Sequence, residues 1–207
     1  MEAQTIANQL EIIVVDSGSE QNERPIVEGF QQRHNNIVYI RTDARKNVYA
    51  TWNRGIQAAH GKYITNANTD DRHKADAFEQ MVNTLESMPH IALVYGNTYV
   101  TETENESFDR HTRVRAYNSP DFDALRLVSD CFIGPQPMWR KSARDKYGYF
   151  DESFECAGDW EFWSRMAGTE RFSHLDQFLG LHMESPTSIE HRNPALSQRE
   201  ADRVHQR

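Results

Sequence analysis

One stretch limits this chain more than any other: the apolar run Leu10–Val15, interrupted only by Glu11 and broken off by Asp16-Ser17-Gly18-Ser19. Four apolar residues in a row, Ile12–Val15, ending in a small polar loop, suit a parallel strand covered on both faces. Such a strand needs helices above and below it, and the following segments supply them. Glu23 to Arg33 reads as a helix and Ile37–Ile40 as the next strand. Val48, Trp52, Ile56 and Ala59 recur at helical spacing from Asn47 to His60, and Gly61 stops that helix. Tyr63-Ile64 begin a short strand leading into Asn68-Thr69-Asp70-Asp71. The alternation predicts an α/β layer fold, a Rossmann-like doubly wound, mostly parallel sheet.

The later elements are sparser. Phe78, Met81, Val82 and Leu85 mark another helix, and Ile91–Tyr95 another strand. Thr101 to Pro120 is polar and weakly periodic and reads as an excursion. Phe132–Trp139 is expected as a strand, Lys141–Tyr147 and Trp160–Ala167 as helices. The residues after Pro186 are rich in Glu, Arg, His and Gln and are expected to pack poorly. No internal repeat is visible.

Composition removes several function classes. The 207 residues suffice for one domain and a real core, and aromatics at 11% supply core pieces that a disordered chain lacks. With 23 Lys+Arg against 31 Asp+Glu, the net charge is −8. A nucleic-acid partner would need a basic face, so none is expected. An acidic protein that handles diphosphates must recruit a cation. Cys131 and Cys156 form no CxxC pair and fit reduced thiols in a cytoplasmic protein. No run has the length of a membrane span, and attachment to a membrane surface through a partner or a missing segment is compatible with the composition.

Ligands of open α/β sheets bind beyond the carboxyl ends of the strands, and two acidic loops fall there. Asp16 followed by Ser17-Gly18-Ser19 suits a ribose or base, and equally an Asx turn. Adjacent Asp70 and Asp71 repel unless a cation or donor compensates, and such oxygens suit Mg²⁺ or Mn²⁺ completed by diphosphate and water. A third candidate is Asp159 in Gly158-Asp159-Trp160-Glu161-Phe162-Trp163, readable as a helix N-cap or as a general base held beside a cleft.

IIVVDSGS, NVYATWNRGIQAAHGKYI, NTDD, ALVYGN, PQPMWRKSARDKYGYFDE and GDWEFWSRM, in that order, resemble glycosyltransferase family 2 of the GT-A fold, from about residue 3 to 190. The resemblance implies sugar transfer with inversion from a nucleotide donor, a UDP-sugar, to a hydroxyl on a glycan or other acceptor, aided by Mn²⁺ or Mg²⁺. It makes residues 1–185 the transferase domain, with nucleotide binding in about 1–100, the acceptor and base in about 101–185, and a polar tail from 186. Asp16, Ser17, Asn53 and Asn68 would face the donor, with Gly55 beside it. Asp70 would bind the metal with Asp71 in support, and Asp159 would be the base.

Gln136 and Arg140 would lie on the acceptor side, with Arg140 alternatively a surface charge. Asn68 stands where the family has an acid, and Asn68→Asp is expected to preserve or strengthen cation-dependent binding. His182 is expected to be solvent-exposed, a distal metal or phosphate contact being the alternative. A homo-oligomer is compatible with all of this.

The family opens on a strand ending in a Pro-Thr-x-Asn-like turn, whereas Met1–Thr5 here aligns with the end of the helix that follows it. That strand would lie mid-sheet, so a gap, a local repair or a partner chain is expected beside Leu10–Val15. The rival readings are a nucleotidyltransferase, which would need a Gly-rich phosphate loop not visible here, and a catalytically impaired relic or binding module for nucleotide sugars.

Overall fold

The computed structural model describes residues 1–185 and 188–207. A 3₁₀ turn at Ala7–Gln9 precedes β1 (Ile12–Asp16), α1 (Arg24–Gln31), β2 (Ile37–Arg41), α2 (Val48–Ala58), β3 (Tyr63–Thr65), β4 (Arg72–His73) and α3 (Ala77–Ser87). Then come β5 (Ile91–Thr101), β6 (Arg115–Tyr117), α4 (Ala124–Ser129), β7 (Met138–Arg140), α5 (Ala143–Tyr147), α6 (Gly158–Ala167), β8 (Arg171–Met183), α7 (Ile189–Arg192) and α8 (Pro194–His205). The α/β alternation of the first half is as the periodicity predicts.

β5 is the spine of the main sheet, whose order is β3-β7-β5-β8-β4, with β6 also on β5. Among the described residues only β1–β2 and β5–β8 pair in parallel, and the other ladders are antiparallel. The sheet is therefore mixed rather than mostly parallel. Leu93, Tyr95 and Trp139 face a cluster with Phe162, Trp163 and Met166 of α6. Val94, Met138 and Leu179 face Phe78, Met81 and Leu85 of α3. Each fully buried side chain of this size stabilises by about 1.5–3 kcal/mol, so this sandwich carries most of the stability.

Several sequence expectations need correction. β5 continues past Tyr95 to Thr101, because Asn97 finds partners in Asp176, Ser119 and His174. β8 was not foreseen as a strand at all. Its register on β5 slips at the Gly96/Asn97 and Asn97/Thr98 steps, which breaks the two-residue alternation that announces a strand. Phe132–Trp139 is mostly irregular, with Gly134 at φ +77° and strand only from Met138. On α2 the buried face is Tyr49, Asn53 and Ile56, one residue over from the expected stripe, and Val48 is exposed. That helix ends at Ala58 with Ala59 already extended, so Gly61 lies beyond it.

The end of the chain is also different from expectation. The expected tail, residues 186–207, begins outside the described residues, yet α8 packs on the domain with Val204 and Glu200 buried.

β1 and β2 form a sheet of their own. Among the described residues, no strand pairs with the second edge of β1 or of β3. Between them lies part of a cavity of about 2610 Å³, lined by Ile12–Val15 on one side and Tyr63–Thr65 on the other. α2 spans the opening: Gly55 lies against Val15, while Tyr49 and Ile56 join the core of the main sheet.

Candidate active site

Three loops meet the cavity, and each is shaped by a different device. After β1, Gly18 turns at φ +64°, and a Cβ there would stand 3.0 Å from the backbone of Ala44 and Arg45. The neighbouring Ser17 Oγ accepts from the Lys46 N–H at 2.7 Å, tying this loop to the turn before α2. Ser17, Gly18 and Ser19 all line the cavity. Asp16 does not. It is 7% exposed; Oδ1 accepts from the Ser19 N–H at 2.8 Å, and Oδ2 accepts from the Tyr39 hydroxyl and the Arg41 guanidinium. The Tyr39 hydrogen bond, with Ser19 and Arg41 behind it, outweighs burial and holds this carboxyl below the usual range. As arranged, both Asp16 oxygens hold internal donors and organise the loop.

Asn53 also departs from its expected role. It is 2% exposed, its Nδ2 donates to the Phe150 carbonyl and to Glu152, and its Oδ1 accepts from the Phe150 N–H. All of its amide chemistry clasps α2 to the turn before α6. Arg140 is likewise internal: it donates to the carbonyls of Leu85, Met88 and Ile91. A cation there satisfies carbonyls left over at the end of α3, so Arg140 is neither a surface charge nor an acceptor contact. Gln136 is buried and donates to the Arg72 carbonyl.

The second loop, after β3, separates the two neighbouring acids. The Asp71 side chain is fully buried. Its Oδ1 accepts from His182 Nδ1 at 2.9 Å and from the Met183 N–H at 3.0 Å, and its Oδ2 from Asn68 Nδ2 at 3.1 Å. Asp71 thus anchors the loop to β8, with both of its oxygens holding protein donors. Asp70 is exposed on the cavity wall, and no hydrogen bond involves it among the described residues.

His182 is 30% exposed in its side chain and lines the cavity, so it is not the solvated histidine expected. Burial alone would depress the imidazole, but the hydrogen bond and charge of Asp71 prevail and raise its pKa. With Nδ1 committed to Asp71, Nε2 is the ring nitrogen left for a ligand.

No three His, Cys, Asp or Glu residues cluster as a metal cage among the described residues. The donors present, the Asp70 carboxylate and the second nitrogen of His182, suit a cation that brings most of its own ligands. Mn²⁺ accepts such a mixed set and Mg²⁺ prefers the oxygen.

The third loop leads into α6. Its N-cap position is Ala157, without a side-chain cap, and Asp159 is the second residue of the helix. The N-cap reading of Asp159 is therefore replaced. The Tyr49 hydroxyl donates to Asp159 Oδ1 at 3.2 Å, and burial together with the Asp159 charge pushes the phenol pKa up, so Tyr49 stays a donor. Gly158 permits this contact, since a Cβ there would come within 2.8 Å of the Tyr49 ring. Asp159 lines the same cavity as Asp70. The contributions of Tyr49 and of the Asp71–His182 pair were not foreseen. The one available signal was that Tyr49 falls three and seven residues before Trp52 and Ile56.

Residues 3–157 match the glycosyl transferase family 2 pattern. An uncharacterized glycosyltransferase of Methanocaldococcus jannaschii is 24% identical over 169 residues, 81% of this chain and 58% of the relative. The chondroitin synthase of Escherichia coli is 24% identical over 84% of this chain and 24% of its own. The chain thus spans less than two thirds of either relative.

Two solved structures share the fold over 98% of this chain. S. aureus TarS 1–349, in complex with UDP, gives a TM-score of 0.68 at 16% identity over 62% of that chain. The mannosyltransferase PcManGT from Pyrobaculum calidifontis, in complex with GDP-Man and Mn²⁺, gives 0.69 at 14% over 57% of that chain. The motif order, the α/β architecture and a family match over well over half its length agree: the chain belongs to glycosyltransferase family 2 and has the GT-A fold.

Proposed function

We propose that this protein transfers a sugar from a nucleoside-diphosphate donor, a UDP-sugar, to an acceptor hydroxyl with inversion. One observation carries the reading: Asp70 and Asp159, borne by separate elements, line one cavity, and neither is consumed as a helix cap. A TarS structure in complex with UDP and a mannosyltransferase structure in complex with GDP-Man and Mn²⁺ support a nucleotide-sugar ligand.

Asp70 and His182 would hold the cation, with Asp71 fixing the imidazole. A bound Mn²⁺ or Mg²⁺ supplies Lewis-acid charge for the diphosphate. Ser17 and Asn68 approach the nucleoside from the two loops. Asp159 takes the proton from the acceptor hydroxyl while Tyr49 fixes its orientation, and a single displacement at the anomeric carbon inverts the stereochemistry. A binding module is the second reading, favoured by the open edge beside β1.

Turnover of a nucleotide sugar, measured beside melting curves, decides between them. Asp159→Asn keeps donor binding and melting temperature near the parent while transfer falls by about 10²–10⁴-fold. Asp70→Ala removes the EDTA-sensitive part of UDP binding in calorimetry. Parental turnover in Asp159→Asn would remove it as the base, and equal UDP binding with and without EDTA in the parent would remove the cation.

A further inference from the structure

Helix α6 begins without a cap of its own, and the N–H groups that open a helix must be satisfied somewhere. Inside the helix the Trp160 N–H donates to Asp159 Oδ1 at 2.9 Å, and the three amides that lead into the helix, up to its N-cap Ala157, are satisfied from the far end of the chain. The Glu200 carboxylate on α8 accepts from the N–H of Glu155 at 2.8 Å, Cys156 at 2.9 Å and Ala157 at 2.9 Å. The Cys156 thiol adds a contact at 3.3 Å. Glu200 is 2% exposed. Three consecutive amides converging on one buried carboxylate form an anion nest, here filled from within the protein. The nest ends two residues before Asp159.

We propose that Glu200 is a positioning residue for Asp159, and that α8 works as a clamp on the base rather than as a tail. The inference rests on the reading of Asp159 as the general base. Beside the Trp160 N–H of its own helix, two points outside α6 bear on where that carboxylate stands. Tyr49 holds Oδ1 from α2, and Glu200 holds the backbone turn from which α6 and Asp159 emerge. Tyr49 lies in the core between Trp52 and Phe150, so it cannot follow the turn if the turn moves. Releasing the nest therefore separates Asp159 from its orienting hydroxyl without touching the loops assigned to the donor. Arg207 reinforces the same junction through Asp151 and the buried Glu161.

The test compares Glu200→Gln, Glu200→Asp and Asp159→Asn, alone and combined, with the exposed Asp202→Asn on α8 as control. Hydrogen exchange needs no substrate. In Glu200→Gln the amides of 155–157 should exchange at least about tenfold faster while those of α3 keep the parental rate. With the UDP- or GDP-sugar that gives the largest melting shift with Mn²⁺, kcat should fall by about ten- to a hundredfold, as expected when a catalytic group is misplaced by about 1 Å. Donor Kd should change by less than about twofold, the scale of a group that makes no ground-state contact.

Glu200→Asp, which keeps the charge, should recover part of the loss. Adding Glu200→Gln to Asp159→Asn should cost nothing more, because the two act through one step. Parental exchange at 155–157, or a full additional loss in the double variant, would overturn the clamp. Collapse in Asp159→Asn with parental kcat in Glu200→Gln would overturn the clamp alone. Parental turnover in Asp159→Asn would overturn the base and the clamp together.

Discussion

β1 and β5 are both apolar runs beside a parallel partner, yet Ile91–Tyr95 are all buried and Ile12–Val15 are only partly so. The side chains are nearly interchangeable, and the neighbours are not. β5 has β7 and β8 on its two edges, with α3 on one face and the α6 cluster on the other. β1 has β2 on one edge and cavity along the other. α1, which follows it, buries no residue. Burial is thus a property of the sheet position, and the same hydrophobic pattern is worth more at the centre than at an edge. The cavity loop Ser17–Ser19 hangs from the weaker region, and Asp159 hangs from the stronger one.

The comparison breaks first under truncation. Leu93→Ala should cost about 2–5 kcal/mol, the range for a fully buried leucine, and Ile13→Ala about 1 kcal/mol or less. Denaturant melts of both variants measure this, and equal losses would mean that β1 is as buried in solution as β5.

A smaller effect sharpens the junction between the regions. Asn68 was expected to tolerate Asp. Its amide, however, donates to the buried Asp71, and an aspartate there brings a second charge and no proton. Asn68→Asp should therefore destabilise by about 1–3 kcal/mol and weaken cation-dependent UDP binding. Unchanged melting together with tighter binding would restore the earlier expectation.

Acid gives the gentlest test. Burial opposes it, but hydrogen bonds to Ser153 and the ion pair with Arg207 hold Asp151 at about 2, and Glu200 also lies below its ordinary value. A depressed carboxyl stabilises fully above its unfolded pKa and loses that contribution as pH falls through the folded one. Between pH 4 and about 2, α8 should loosen before the Trp139–Trp163 near-ultraviolet signal is lost. Simultaneous loss of both would show that α8 is no separate unit.

Much of this molecule was legible as pattern. β1, α2 and the acidic loop announce themselves through apolar spacing and strand-end acids, and Asp70 and Asp159 were singled out from their loops. What stayed hidden was the destination of polar groups. Asp16, Asn53 and Asp71 look like ligands because they are polar residues near strand ends or on a helix. Whether a ligand or the protein takes their hydrogen bonds depends on Arg41, Phe150 and His182, which lie 25, 97 and 111 residues away. β8 was obscured by its bulges. α8 was obscured because one carboxylate, rather than an apolar stripe, accounts for much of its attachment.

The open edge of β1 also bears on how copies of this protein treat one another. A strand edge with unpaired N–H and C=O groups is a template for another chain. This one is set back in a cavity, on a protein of net charge −8. Like charge keeps two copies apart at low ionic strength, and at physiological ionic strength salt screens that repulsion beyond about 8 Å. Ionic strength therefore acts on encounters between copies through the surface charge, while the hydrogen bonds that join β5 to β8, internal to the sheet, are left as they were.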